Sequence, residues 1–507
     1  MQSILCIYID KSVKYRYNYL EGGDTVAITT KEGILKVLRS FNPWWVNGAV
    51  NPAFLRDYKR FAYYEAISRL ENTNIRRTVV LTGTRRVGKT TIEYQLIHTL
   101  LQKGMPPQKI VFVSLDHPML KLAGLNEVLE CYHENIYAEQ DVYYFFDEVQ
   151  YATDWAMWLK TIYDTQPDTK VVATGSASPA LVRGSTESGA GRWTVIQVPT
   201  LSFYEYCSLI GLNDIQLDKT IKPTSILKMT QQQRGQIMNK LSAVQNHFIR
   251  YLQIGGFPEL ALANDDILAE QVMREDVVDK VLKRDLPALY NIRNITELER
   301  IFLYLCNVSS EIITIDTIAK ELNGVSRQTV QNYIEYLESA NLIYLSYPVD
   351  LDGKKILKAR PKIYIADAAI RNAVLMDSDV LTNPIEMGKM VETSVYKHVK
   401  AFYYQKATRV GYYRGGKKGK EIDIVVDYPN IDNILIEVKY REEAPISDDD
   451  AIVEHCDKAA SAIIITKRAT DFGEHNAPNG KKLLRIPAFA FLYLLGHAEK
   501  NGYKGVE

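Results

Sequence analysis

The chain has 507 residues, of which 46% are hydrophobic and 24% are charged, and this is typical of a globular protein with about three domains. Lysine plus arginine equals aspartate plus glutamate at 61 each, so any surface for nucleic acid has to be local rather than a property of the whole chain. The five cysteines lie far apart, which excludes a closely spaced metal knuckle or redox pair and fits a reducing compartment.

Residues 1–45 form an N-terminal extension with strand-like pieces such as residues 25–29. The apolar stretch at its start is too short for a secretion signal and has no basic lead-in. The longest late apolar stretch, residues 486–495, contains a proline and reaches about half of a membrane span. We therefore expect a cytoplasmic protein without a membrane segment.

An alternating pattern of short apolar runs and helix-length amphipathic stretches begins at Arg77 and predicts an α/β domain over residues 46–205. The apolar runs are residues 78–82, 110–115, 142–146, 171–174 and 195–198. Strands that alternate with helix-length segments form parallel βαβ units whose sheet is covered on both faces. Residues 206–295 are mostly helical by the same criterion.

A phosphate-binding loop follows the first of these strands. Its spacing matches the Walker A motif in full, and the predicted nucleotide contacts are Gly83, Thr84, Arg85, Arg86, Val87, Gly88, Lys89, Thr90 and Thr91. Glycines let the loop N–H groups point at phosphate oxygens, and the start of the next helix favours negative charge. Lys89 should reach the β- and γ-phosphates of ATP, and the Thr90 hydroxyl should bind Mg²⁺.

Two acids end the apolar strand at residues 143–147, and they predict the metal and catalytic groups. Asp147 fits the role of holding Mg²⁺, and Glu148 is placed to orient and deprotonate the attacking water. A separate strand lies between the two motifs, which favours hydrolysis over small-molecule kinase chemistry. The alternative for Glu148 is a solvent-facing acid at a strand end.

Two further polar residues are candidates for contact with the γ-phosphate. Ser176 follows the strand that ends at residue 174, and it could sense the phosphate. Arg192 follows a Gly/Ser-rich loop and is a candidate arginine finger, in the same chain or across a homo-oligomer. A structural or surface arginine is the alternative.

A helix–turn–helix pattern occupies residues 300–347, within a predicted winged helix at 296–350. Ser326 is a plausible N-cap for the second helix, and a wing begins near residue 343. The polar side chains that would face a DNA groove are Arg327, Gln328, Gln331 and Asn332, followed by a basic run at Lys354, Lys355, Lys358, Arg360 and Lys362 that could contact phosphates. The alternative is a plain packing module.

The segment 351–507 carries the spacing of a metal-dependent nuclease site. Asp423, Glu437 and Lys439 lie on two predicted strands, and Glu437 and Lys439 share one face because they are two residues apart. Two carboxylates on adjacent strands can hold Mg²⁺, and a lysine can orient a water for phosphodiester attack. The basic turn at 414–420 could grip a phosphate backbone. The alternative is a former nuclease kept as a binding surface.

Taken in order, several motifs resemble a family of prokaryotic AAA-type ATPases with a C-terminal domain of unknown function related to restriction endonucleases. They are Asn42-Pro43-Trp44-Trp45, Arg85-Arg86, Asp147-Glu148-Val149-Gln150, Thr174-Gly175-Ser176, Gly191-Arg192, Leu201-Ser202-Phe203-Tyr204-Glu205-Tyr206 and Gly255-Gly256-Phe257-Pro258-Glu259. The resemblance implies an AAA-type core, a helical lid over 206–295, a winged helix and an α/β nuclease-like domain, and it implies Glu392 as an additional metal-binding acid.

These observations predict an ATP-binding and ATP-hydrolysing protein that uses Mg²⁺ and acts on double-stranded DNA, with metal-dependent nuclease activity as a second activity. Two alternatives stay open. One is an ATP-regulated signalling or interaction switch that ignores DNA. The other is a DNA-binding regulator whose nuclease-like domain is inactive.

Overall fold

The computed structural model describes most of the chain in two separate units. The described residues are 7–9, 15–17, 30–72, 74–152, 154–175, 191–212, 215, 217, 220–322, 324–351, 360–376, 380–403, 409–415, 420–428, 431–477, 480 and 482–502. The first unit comprises the described residues up to Gly83 together with Gly88–Val198. The second comprises Thr84–Val87 together with the described residues from Pro199 onward.

A five-stranded parallel sheet forms the centre of the first unit. Its strands, after a short antiparallel pair of β1 (Ile7–Ile9) and β2 (Tyr15–Tyr17), are β3 (Thr78–Thr82), β4 (Ile110–Ser114), β5 (Tyr143–Asp147), β6 (Lys170–Gly175) and β7 (Trp193–Gln197). The order across the sheet is β4-β5-β6-β3-β7. All five residues of β3 and of β4 are buried, as expected for a parallel sheet covered on both faces. The parallel α/β core predicted from the sequence is therefore confirmed.

Helices cover both faces of this sheet. They are Lys31–Phe41, Trp44–Asn47, Phe61–Glu71, Lys89–Gln102, Pro118–Asn135 and Trp155–Thr165. The motif at residues 42–45 has a clear structural role at the open edge of β4. The Asn42 amide bonds both the N–H and the carbonyl of Phe112, at 2.6 and 2.9 Å, and the Trp44 and Trp45 indoles donate to the Ile110 carbonyl at 3.0 and 2.8 Å. These side chains replace the strand that would otherwise pair there.

The second unit begins with a helical region and continues into three helices and a strand pair. The described segments of this helical region are Phe203–Leu209, the 3-10 helix Pro223–Lys228, Gln231–Gln245, Phe248–Ile254, Pro258–Ala261, Asp266–Val272, the π-helical Met273–Asp279 and Val281–Asp285, and Leu286–Tyr290. The three helices are Ile295–Asn307, Ile315–Glu321 and Arg327–Ser339, and β8 (Ile343–Ser346) pairs antiparallel with β9 (Lys362–Ile365). This is the order of elements that the sequence predicts for a winged helix, and that identity stays a prediction.

A six-stranded mixed sheet occupies the rest of the second unit. Its strands are β10 (Arg409–Gly415), β11 (Lys420–Tyr428), β12 (Ile431–Lys439), β13 (Ser461–Thr466), β14 (Gly473–Asn476) and β15 (Lys482–Pro487), in the order β10-β11-β12-β13-β15-β14. The flanking helices are Ala368–Leu375, Pro384–Tyr403, Ala451–His455 and Ala488–Asn501. One hydrophobic core joins residues from 201 to 498, so segments that the sequence assigns to a helical lid and to a nuclease-like domain share buried side chains, and the partly buried Tyr344 of the predicted winged helix packs against them.

Candidate functional site

The phosphate-binding loop connects β3 to the helix Lys89–Gln102. Gly88 precedes this helix with a φ of +93°, a conformation that a residue with a Cβ rarely adopts. Lys89 is buried, and its ammonium donates to the Gly83 carbonyl at 2.9 Å. The lysine is therefore folded back across its own loop, where its charge lies close to the backbone that would hold a phosphate.

Thr90 and Asp147, which the sequence predicts as a metal-binding pair, lie next to each other. The Thr90 hydroxyl is 3.1 Å from both carboxylate oxygens of Asp147. Thr174, at the end of β6, donates to Asp147 at 2.5 Å and accepts the Glu148 N–H at 3.0 Å. Hydroxyl and carboxylate oxygens are the ligands that Mg²⁺ prefers, so these residues fit a bound Mg²⁺.

The carboxyl of Asp147 holds its proton more tightly than an exposed aspartate does. Burial, with a smaller contribution from the neighbouring Glu148, raises the pKa of Asp147 to about 6. Hydrogen bonds from Thr174 and Thr90 and the charge of Lys89 act in the opposite direction. A cation bound beside this carboxyl would favour its ionised form and so act against the effect of burial.

Glu148 stands on a strained turn of backbone directly after β5. Its φ is +55°, in the left-handed region that non-glycine residues seldom occupy, and such positions are concentrated at functional sites. The Gln150 side-chain amide donates to the Glu148 carboxylate. Backbone and side chain are both held, so the position of this carboxylate is defined by the fold.

Glu93 is an acid near the same site that the sequence analysis missed. It lies one helical turn after Thr90, it is fully buried, and neither of its carboxylate oxygens has a hydrogen-bond partner among the described residues. Burial first, and then the charges of Asp147 and Glu148, raise the pKa of Glu93 well above its usual range. The signal in the sequence that could have identified Glu93 is a charged residue between Ile92 and Tyr94, on a part of the helix whose neighbouring side chains are buried.

The structure assigns other contacts to the remaining predicted nucleotide residues. Arg192 pairs with Asp164 at 2.9 Å, so its charge is already engaged, and its role as an arginine finger stays a prediction. Arg85 and Arg86 make their ion pairs within the second unit, the first with Asp285 and the second with acids at 259 and 276. Ser176 lies outside the described residues.

The second helix of the predicted helix–turn–helix presents polar side chains to solvent. The Ser326 hydroxyl accepts from the Thr329 N–H at 3.1 Å, which confirms the cap. Arg327, Gln328 and Gln331 are exposed, although Arg327 pairs with an aspartate on the preceding helix at 3.1 Å. The basic run is only partly described, since Lys354, Lys355 and Lys358 lie outside the described residues.

Lys362, the last member of that basic run, was predicted to contact phosphates, and this is wrong. Its side chain is only 3% exposed and turns inward, to Glu392 at 2.7 Å, Glu421 at 2.8 Å and Asp423 at 2.9 Å. The strand pairing of Lys362 with Ser346 decides this, because it fixes the face of the strand on which the lysine lies.

The predicted nuclease carboxylates do come together. The pairing of Ile424 with Ile436 places Asp423 opposite Glu437 on one face of the β11–β12 ladder, and Glu392 reaches the same place from the helix Pro384–Tyr403. We call Glu392, Glu421, Asp423 and Glu437 the acid cluster. Burial, then the charge of Asp423, raises the pKa of Glu392 to about 7 and that of Glu437 well above its usual range.

Lys439 does not join the acid cluster. Its ammonium donates to Asp450 at 2.6 Å and to the Pro445 carbonyl at 3.1 Å. Across the described residues, no group of three or more His, Cys, Asp or Glu side chains is arranged to hold a metal ion. The ammonium of Lys362 lies within 2.9 Å of carboxylate oxygens of Glu392 and Asp423, so the acid cluster does not fit the metal that the nuclease prediction requires.

Comparison with known proteins finds a described family for the segment that contains the first of these sites. Residues 75–207 match a family described as an AAA domain, and residues 245–380 and 387–489 match two families described as domains of unknown function. The part of the chain that the structure describes contains no helix long and apolar enough to cross a membrane.

Two similar proteins come from the archaeon Methanocaldococcus jannaschii, and one solved structure comes from Aeropyrum pernix. The chain is 26% identical to the uncharacterized protein MJ1544 of Methanocaldococcus jannaschii, over 71% of this chain and 74% of that protein. It is 24% identical to MJ1637 of the same organism, over 76% and 80%. A structure of the Aeropyrum pernix ORC1 protein in complex with DNA aligns with 63% of this chain and 93% of its own, at 12% identity and a TM-score of 0.29.

The AAA match covers the sheet, the phosphate-binding loop and the Asp147–Glu148 pair, and it begins and ends within a few residues of β3 and of the helix that follows β7. Residues 75–207 are therefore similar to an AAA domain, and the match contains the P-loop spacing that the sequence predicts.

Proposed function

We propose that the chain binds Mg-ATP and hydrolyses it, and that it uses this cycle to act on double-stranded DNA. The observation that carries the ATPase is the contact of Thr90 and Thr174 with the Asp147 carboxylate, at 3.1 and 2.5 Å. Three segments far apart in sequence converge there beside the phosphate-binding loop, as metal-assisted phosphoryl transfer requires.

Each residue of the site has a defined part in this proposal. Lys89 and the loop N–H groups bind the phosphate oxygens, and Thr90 with Asp147 holds Mg²⁺, which when bound neutralises phosphate charge. Glu148 accepts a proton from the attacking water, and Gln150 keeps its carboxylate in place. The Thr174 hydroxyl bonds both the Asp147 carboxylate and the Glu148 N–H. It therefore fixes the position of the metal-binding acid relative to the catalytic acid.

The ATPase is tested by the rate of phosphate release from Mg-ATP. Glu148→Gln should lower kcat by about 100-fold or more, because it removes the proton acceptor and leaves the shape of the site unchanged. Glu127→Gln is the matched control, since it makes the same exchange on an exposed face of a helix in the same unit. Equal rates for wild type and Glu148→Gln would overturn the assignment.

The action on DNA rests on the exposed polar face of the helix Arg327–Ser339. Arg327, Gln328 and Gln331 are the side chains that could read a groove. Duplex DNA should stimulate hydrolysis by the wild type, and Gln328→Ala with Gln331→Ala should abolish the stimulation while basal hydrolysis stays unchanged. Hydrolysis that ignores DNA in both proteins would favour the interaction switch, in which a protein partner takes the place of DNA.

A DNA-binding regulator with an inactive nuclease-like domain is the second candidate, and the position of Lys362 within the acid cluster favours it over an active nuclease. The two are separated by DNA degradation in Mg²⁺ or Mn²⁺, with Lys439→Ala as the comparison. Degradation that depends on Lys439 would establish the nuclease, and protection of a DNA site without degradation would establish the regulator.

A homo-oligomer is part of the proposal only if Arg192 acts across a subunit boundary.

A further inference from the structure

A lysine lies at the centre of the acid cluster of the second unit. The ammonium of Lys362 is within 2.9 Å of carboxylate oxygens from Glu392, Glu421 and Asp423, which come from one helix and one strand. The lysine side chain is 3% exposed, and those of Glu392 and Asp423 are 15% exposed. The charge of a buried ammonium has to be compensated, and here three acids surround it.

Two hydrogen bonds and a further ion pair hold this lysine. Its ammonium donates to Glu421 at 2.8 Å and to Asp423 at 2.9 Å, and a carboxylate oxygen of Glu392 lies 2.7 Å from it. The Tyr364 hydroxyl donates to the same Glu392 oxygen at 2.9 Å, and the Val438 N–H donates to the second oxygen of Asp423 at 2.9 Å. Glu392 and Asp423 are therefore each held beside the lysine by a second donor.

A divalent cation would compete for the same oxygens. Mg²⁺ requires carboxylate oxygens at about 2.0–2.1 Å. A cation at that distance from Glu392 and Asp423 would stand within a few ångströms of the ammonium that binds the same atoms. Two positive charges in one buried site repel each other strongly, so metal and lysine exclude each other.

The other nuclease residues agree with a cluster that lacks a metal. Glu437 has one carboxylate oxygen that is buried and has no hydrogen-bond partner among the described residues, and burial raises the pKa of this carboxyl well above its usual range. Lys439 is committed to Asp450 and to a carbonyl, away from the place where a nucleophilic water would be oriented.

We propose that Lys362 is the resident cation of the acid cluster, and that its ammonium takes the place of a divalent metal and keeps this nuclease-like site inactive. The proposal goes beyond the ATPase and does not depend on it. It implies a property that no sequence motif shows, namely that removal of one positive charge opens a divalent-cation site.

Binding of Mn²⁺ tests this directly, measured by the loss of the electron paramagnetic resonance signal of free Mn²⁺. Every sample is the full chain with Asp147→Asn, so that the ATP site lacks its metal-binding carboxylate. The chain with native Lys362 should show no Mn²⁺ binding that depends on Glu392. Lys362→Met should gain one Mn²⁺ site per chain, with an affinity at least tenfold higher than that of any Mn²⁺ binding by the chain with native Lys362. Adding Glu392→Gln to Lys362→Met should remove this site.

Lys389→Met is the matched control. Lys389 lies on the same helix as Glu392 and pairs with Glu311 at 3.0 Å, outside the acid cluster. It should gain no Mn²⁺ site. If Lys362→Met does not fold, Lys362→Met with Glu421→Gln reduces the unpaired negative charge and is titrated instead.

Two results would overturn the proposal. One is Mn²⁺ binding by the chain with native Lys362 that is lost on Glu392→Gln, because the lysine would then not exclude the metal. The other is a folded Lys362→Met protein, with or without Glu421→Gln, that gains no site. Neither outcome bears on ATP hydrolysis, which is measured separately with native Asp147.

Discussion

Removal of Lys397 should destabilise the second unit by about 3–5 kcal/mol. Its ammonium is 2.8 Å from the Asp367 carboxylate, and the two side chains are only 3% and 2% exposed. Thr200 donates to the same carboxylate at 2.6 Å, and Lys397 also donates to the Tyr251 hydroxyl at 2.7 Å. Lys397→Met leaves a buried aspartate without its counter-ion, and such uncompensated charges are the costly case.

The expected loss can be separated from a general effect of lysine replacement. Lys389→Met breaks a pair of which Glu311 is 54% exposed, so it should cost at most about 1 kcal/mol. Asp367→Asn in addition to Lys397→Met removes the unpaired charge and should recover part of the loss. Urea unfolding measures all three free energies. A loss below about 1 kcal/mol for Lys397→Met would refute the reasoning that the pair is desolvated.

Three further predictions concern other buried groups. Glu93→Gln should raise the temperature of unfolding at pH 8, and this gain should shrink toward pH 4.5. The reason is that a carboxyl whose pKa is raised in the folded state destabilises the protein as the pH rises above the pKa of the unfolded state. Equal shifts at all pH values in a thermal scan would contradict this. Thr174→Val should lower kcat about 10–100-fold, since its hydroxyl bonds both the metal-binding carboxylate and the Glu148 N–H; a phosphate-release assay with unchanged kcat would disprove it. Gly256→Ala should lower the free energy of unfolding in urea by more than about 2 kcal/mol, because the added Cβ would lie 2.4 Å from the backbone nitrogen of Leu201. Gly235→Ala is the control, since its Cβ meets no atom within 4 Å and the change should be neutral or stabilising.

Sequence patterns predicted the strands of the parallel α/β core in detail because their signals are local. Each of the five predicted strands lies within one or two residues of an observed strand, since a strand buried on both faces is a short apolar run. The loop glycines, Lys89 and Thr90 are adjacent in the chain, so their spacing alone predicts that they meet one ligand. The cap at Ser326 is equally local and was predicted correctly.

Glu93 was missed because its meaning depends on what surrounds it. A glutamate in a helix is ordinarily a solvent-facing residue, and only the packing of the helix against the sheet shows that this one is buried beside two other acids. Thr90 and Asp147 are also far apart in the sequence, but each belongs to a recognisable motif. Their contact could therefore be predicted, whereas the burial of Glu93 could not.

The sequence by itself determined the α/β core, the phosphate-binding loop and the presence of acids on the last sheet. Only the tertiary structure decided what those last acids contact. Lys362 looked like one member of a basic run, yet the pairing of its strand buries it among Glu392, Glu421 and Asp423. The reason is that a charge pattern along the chain does not reveal which face of a strand is covered, and the counter-ion of a buried cluster can come from a segment about 60 residues away.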